Sequence, residues 1–130
     1  MSEALVEQGP QNNANTGKKG EAKAEAYLTD EGYTIICRNW RTRSGEIDII
    51  AEKDGVLVFC EVKTLPHSPQ DTLEYVLSKR KQRKIIETAK CFLLDNRQYS
   101  NSYIRFDVLV IDVPRYSPVY HIQNAFSEFI

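Results

Sequence analysis

The chain has 130 residues, 42% hydrophobic and 27% charged, and its 17 Lys and Arg nearly balance 18 Asp and Glu for a net charge of −1. This composition fits one packed domain and speaks against a strongly basic nucleic-acid coating protein. No apolar run is long enough to cross a bilayer, so no membrane partner is expected; Cys37, Cys60 and Cys91, odd in number and without a CxxC pair, argue against a zinc site or disulfide framework and for a reducing, cytoplasmic location.

Residues 1–15 are rich in Asn, Gln and small residues without periodicity and read as a disordered tail, with no basic start or apolar middle of a secretory signal. Residues 16–130 read as a single domain. Ala24, Tyr27 and Leu28 recur at helical spacing, and Gly32 is a credible helix stop. YTIICRNW (33–40) then reads as a strand, followed by strands at 46–52 and 56–63 split by Lys53-Asp54-Gly55. A polar connection from Pro66 to about Glu74 leads to a second helix, where Ile85, Ile86, Ala89, Phe92 and Leu93 share one face. RFDVLVID (105–112) reads as a buried strand, and a short last strand is expected at 119–122. The order predicts an α/β domain with a central mixed β-sheet flanked by helices.

The stretch GEIDIIAEKDGVLVFCEVKT (45–64) carries the chemistry. Asp54-Gly55 is a favoured two-residue hairpin turn, since both positions accept positive φ. That loop places Lys53 opposite Val56 and makes one face wholly apolar: Ile47 with Val62, Ile49 with Cys60, Ala51 with Val58. The other face pairs Ile50 with Phe59, Asp48 with Glu61 and Glu46 with Lys63. A three-residue loop would mix the faces. Opposed residues have β-carbons about 4.5–5.5 Å apart, and like charges so placed repel. A divalent cation bridging Asp48 and Glu61 would remove the repulsion. Lys63 leaves the strand on the same side as Glu61, where it could orient water or stabilise charge on a phosphate. The plain alternative is a wet strand face with a Glu46–Lys63 surface ion pair. Glu21, on the edge of the first helix's apolar face, is a third candidate carboxylate, although a carboxylate in a first turn needs only the helix dipole to explain it.

Lys79 to Lys84, KRKQRK, opens the second helix, where cations oppose the macrodipole unless anions lie near. With Arg38, Arg41 and Arg43 this run could track phosphates, or it could be a solvated face. The cysteines with His67 and His121 make no recognisable site, and Asp107 reads as the structural partner of a nearby Arg or Lys.

The constellation Asp48, Glu61-Val62-Lys63 and a glutamate on the preceding helix resembles the PD-(D/E)XK nuclease superfamily. More closely, the chain resembles the bacterial YraN-type family, similar to archaeal Holliday-junction resolvases. The segments that carry the likeness are GExxAxxYL (20–28), GY (32–33), RNW (38–40), GEIDIIA (45–51), VFCEVKT (58–64), KQRKI (81–85), RFDVLV (105–110) and HIQNAF (121–126). The resemblance implies a restriction-endonuclease-like fold and a Mg²⁺-dependent endonuclease, with Mn²⁺ as a substitute ion, acting on structured or branched DNA. It carries metal-ligand roles onto Asp48, Glu61 and Glu21, the catalytic lysine onto Lys63, and a supporting role onto Glu46. Lys81 and Lys84 match basic residues of the second helix; with Arg83, Arg41 and Arg43 they are the candidate nucleic-acid contacts. Resolvase-like relatives also imply a homodimer. One departure is Leu65-Pro66-His67-Ser68-Pro69, where the family continues with arginine and a glycine-containing segment. The rival reading is a nuclease-fold module that binds nucleic acid or protein without cutting.

Overall fold

A computed structural model describes residues 11–64, 77–111 and 119–128, with residues 11–19 described by their backbone. The polar connection after Thr64, including Leu65–Pro69, lies outside the described residues, as do residues 1–10 of the tail expected over 1–15; residues 11–15 of that tail are helical instead.

Helix α1 spans Gln11–Asp30, so it begins earlier than the change of pattern at Gly17. Ala24 and Leu28 are fully buried. The helix ends where Gly32 takes φ +94°, while the Gly32 and Tyr33 N–H groups bond back to the Thr29 and Leu28 carbonyls. Those two bonds satisfy last-turn carbonyls that would otherwise lack partners.

Three antiparallel strands follow: β1 (Thr34–Thr42), β2 (Gly45–Lys53) and β3 (Val56–Thr64). Asp54 and Gly55 both have positive φ, 52° and 81°, which gives the tight turn the sequence requires. Helix α2 (Lys79–Asp95) crosses to β4 (Tyr103–Ile111), which pairs parallel with β3. A short 3₁₀ turn at Arg97–Tyr99 precedes β4. The last strand, β5 (Val119–Phe126), runs antiparallel to β4 and is longer than the 119–122 expected. The sheet order is β1-β2-β3-β4-β5, and the whole is the α/β arrangement of a restriction-endonuclease-like fold.

The two faces of the sheet are covered by different helices. Ala24 and Leu28 of α1 pack on Ile49, Ala51, Val58, Cys60 and Leu109. Ile85, Ile86, Ala89 and Phe92 of α2 pack on Ile47, Ile50, Phe59, Phe106 and Val108. Ring contacts tie this second layer together: Phe92 meets Trp40 and Phe59 edge-on at centroid distances of 5.2 and 5.8 Å.

The expected register holds from Lys53–Val56 to Ile49–Cys60. One face assignment is corrected. Ile47 packs with Ile50 on the α2 side, not with Ile49 and Ala51 on the α1 side. Strict alternation therefore slips at Asp48. The strand partner across this step is Asn39, flanked by the pairs Arg38–Ile49 and Trp40–Ile47, and its φ is +54°. A left-handed residue cannot continue a regular ladder.

Candidate functional site

The slip at Asp48 is where the charged residues gather. Beyond Ile49–Cys60 the Asp48 carboxylate replaces a ladder bond: its Oδ2 accepts the Val62 N–H at 2.8 Å. One strand fixes the other by a side chain, and that holds Asp48 beside the start of the Glu61-Val62-Lys63 run. Burial pushes the Asp48 carboxyl up to about 6 against the opposing pull of the Val62 N–H, and the charges of Glu21 and Glu46 add to the rise. Glu61 is 6% exposed. Burial, and then the Asp48 charge, push its carboxyl up to about 7, with Lys81 and Lys63 pulling the other way. The β2–β3 ladder ends at Ile49–Cys60, so Asp48 is not the ladder partner of Glu61 that the hairpin register suggested; the two carboxyls are coupled through charge.

Lys63 does leave β3 on the Glu61 side, with its Nζ 3.7 Å from Glu61 Oε2. Glu46 does not meet Lys63, as the hairpin register alone suggested. It stands opposite Arg41 in the β1–β2 ladder and pairs with it, Arg41 Nε to Oε2 being 3.3 Å. The reason is local: the β2–β3 register has ended before Glu46, while the β1–β2 register continues to Thr42–Gly45.

Glu21 turns its carboxylate toward β1. Asn39 Nδ2 donates to its Oε1 at 3.2 Å, and Arg38 Nη2 lies 3.4 Å from the same oxygen. Arg38 also binds Glu25 through Nη1 at 2.9 Å. Glu21 is the more enclosed of the two glutamates, its side chain 17% exposed against 36%. Its charge reaches Asp48, but among the described residues no three His, Cys, Asp or Glu side chains converge on one point. The close pair is Asp48 with Glu61, and Glu21 is a flanking carboxylate.

Ser78 caps α2 by accepting the Lys81 N–H at 3.1 Å, and no acidic residue lies in the first turn. The basic run then divides by helical position. Lys81 is half-buried and its charge acts on both Asp48 and Glu61. Arg83 and Lys84 are exposed and line a different flank of the helix. Arg41 and Arg43 lie exposed at the β1–β2 turn.

A second polar cluster was not legible as a group. Asp107, fully buried, receives Arg105 through Nε and Nη2 at 2.9 and 2.8 Å, His121 Nε2 at 2.6 Å and the Asn124 N–H at 2.9 Å. Burial would raise its carboxyl, but those hydrogen bonds outweigh burial and hold it below the usual carboxylate range. His121 Nδ1 faces the Tyr27 hydroxyl at 2.9 Å, and Arg105 also donates to the Tyr33 hydroxyl at 2.6 Å. The expected Arg partner of Asp107 is therefore Arg105. The cluster ties α1 to β4 and β5, and the one signal for it in the sequence is a buried-strand aspartate two residues after an arginine.

The model of the uncharacterised protein family UPF0102 matches residues 20–111. A UPF0102 protein of Treponema denticola is 44% identical, over 86% of this chain and 95% of its own length. One from Treponema pallidum is 42% identical over 93% and 99%, and one from Persephonella marina 43% identical over 85% and 92%. The chain belongs to the UPF0102 family. No helix among the described residues is long and apolar enough to cross a membrane.

Proposed function

We propose that this UPF0102 protein is a divalent-metal-dependent endonuclease of the PD-(D/E)XK kind that hydrolyses phosphodiester bonds in structured or branched DNA. The observation that carries the reading is a pair of carboxyls, Glu61 buried and Asp48 half-buried, with Asp48 held by the Val62 N–H next to Glu61 and the Lys63 ammonium beside Glu61. A buried acidic pair is costly to ionise unless a cation joins it. The donor set suits Mg²⁺, which takes one or two carboxylates and keeps several waters. Asp48 and Glu61 would hold the ion directly, and Glu21, fixed by Arg38 and Asn39, would reach it through water. Bound there, such an ion supplies a Lewis acid for a phosphoryl oxygen and lowers the pKa of water.

The protein's own groups do the rest. The Lys63 side chain, its Nζ 3.7 Å from Glu61, stabilises the negative charge that grows on the phosphate in the transition state. Lys81, whose charge acts on the same two carboxyls, draws the phosphodiester toward them. Arg41 neutralises Glu46, so the rim of the site does not repel a polyanion.

The rival reading, a nuclease-fold module that binds without cutting, has one observation in its favour: Glu21 and Glu46 already have arginine partners, which leaves two carboxyls for a cation. Calorimetric titration of Mg²⁺ and Mn²⁺ into wild type and Asp48→Ala/Glu61→Ala, with a four-way DNA junction present, separates them. Binding lost in the double variant, followed by junction cleavage that Asp48→Ala abolishes, is the expected result. No ion binding in either protein, or cleavage that survives Asp48→Ala, would sink the nuclease assignment.

A further inference from the structure

A cavity lined by described residues lies away from the carboxyl pair. It is an open groove of about 980 Å³ on the other flank of α2, lined by Ser44 of the β1–β2 turn, by Arg80, Arg83 and Lys84, and by the end of β5 with the residues after it. Three features define its chemistry. Arg80, Arg83 and Lys84 are exposed, and among the described residues none of them makes an ion pair. They sit in the first turns of a helix whose dipole disfavours cations, and no acidic side chain of that turn offsets them. The third feature is polarity at the far end. Lys90 is bound there by Glu128 at 2.9 Å and lies 3.8 Å from Glu87, so that end is neutral to acidic.

We infer that this groove is a docking channel for a phosphodiester backbone, entered by a strand that continues past the N-terminal end of α2 toward Lys81 and the carboxyl pair. Unpaired cations held at an energetic disadvantage suit a polyanion that supplies the missing charge. The large hydrophobic side chains at its wall, Ile86 and Phe126, are 8% and 4% exposed, so no aromatic face is offered for base stacking. Recognition is therefore of the backbone alone and independent of base sequence. The acidic end rejects a polyanion, which gives the channel one open direction. Because Lys81 projects to the carboxyls and Arg80, Arg83 and Lys84 to the groove, α2 presents cations on two flanks. A ligand that engages both must be wider than one strand, as a branched or bent duplex is. The inference rests on the nucleic-acid reading of the site, but not on cleavage.

The test is fluorescence anisotropy of a labelled DNA junction over a series of KCl concentrations in EDTA. Each lost phosphate contact lowers the slope of log K against log[KCl] by about 0.9. Arg80→Gln/Arg83→Gln/Lys84→Gln should bind more weakly, with a slope smaller by roughly 2 to 3. Glutamine keeps the helix propensity, so circular dichroism should show an unchanged fold. Lys90→Gln, already engaged by Glu128, should leave the slope unchanged. An unaltered slope in the triple variant, or an equal loss in Lys90→Gln, overturns the channel. If the triple variant loses slope while wild type neither binds metal nor cuts, the channel stands and the nuclease reading alone fails.

Discussion

Replacing Asp48 by asparagine should make the metal-free protein more stable, and by an amount that depends on pH. Asp48 ordinarily titrates near 3.8 and is pushed up to about 6 in the fold, chiefly by burial. A carboxyl whose folded pKa is raised binds its proton more tightly in the native state, so stability falls as pH rises from the unfolded value through the folded one. At 1.36 kcal/mol for each pH unit between the two values, the ionised side chain costs about 3 kcal/mol above pH 7, and about half of that at pH 5. Asparagine keeps an oxygen for the Val62 N–H but carries no charge. Urea unfolding in EDTA should therefore show Asp48→Asn roughly 3 kcal/mol more stable than wild type at about pH 8, and less than about 1 kcal/mol more stable at about pH 4. Added Mg²⁺ should raise the wild-type midpoint at pH 8 and leave that of the variant in place, since only a native state with both carboxylates binds the ion. A wild-type protein that gains stability between pH 5 and 8, or a variant no more stable than wild type at pH 8, would refute the buried repelling pair.

Other expectations follow from the packing. Asp107→Asn should cost about 3–5 kcal/mol in urea unfolding, because Arg105 and His121 lose a buried anionic partner. The Asp107 carboxyl is held low, so its contribution is present above about pH 4 and lost as pH falls through the folded value; acid titration followed by circular dichroism should lose that step in the variant. A β-carbon on Gly20 would come within 2.9 Å of Thr64 Oγ1, so Gly20→Ala should fail to deliver the roughly 1 kcal/mol that alanine gives a helix, and should deliver it in a Thr64→Ala background. A double-mutant cycle reads the difference directly.

Much of the fold was legible because its signals were local. The Asp54-Gly55 turn fixed the β2–β3 register, and helical spacing found the buried faces of α1 and α2. The Asp48, Glu61 and Lys63 grouping followed from that register. Legibility failed where one backbone departure reset the pattern. Nothing in RNW announces that Asn39 is left-handed, and that single residue moves Ile47 to the other layer and lets Asp48 bond Val62. Glu46 was misplaced for the same reason, since its true partner lies on the strand whose register could not be read. The Asp107 cluster gathers residues from α1, the turn after it, β4 and β5, and no periodicity relates positions 27, 33, 105, 107 and 121.

The irregularities of the outer strands have a bearing beyond the site. In the observed order β1 and β5 are the two borders of the sheet, each with a row of backbone groups that a stray strand could join. Neither border is straight. β1 carries a bulge between Ile35 and Cys37 and the left-handed Asn39, with Arg38 and Arg41 along it, and β5 carries the left-handed Asn124 beside a register shift at Phe106–Val108. Kinks and charges of this kind deny a flat template to neighbouring molecules. The turns of chain that hold Glu21 and Asp107 in place are also the ones that guard the sheet against self-association into fibrils, so a substitution that regularised Asn39 would put solubility at risk along with the carboxylate arrangement.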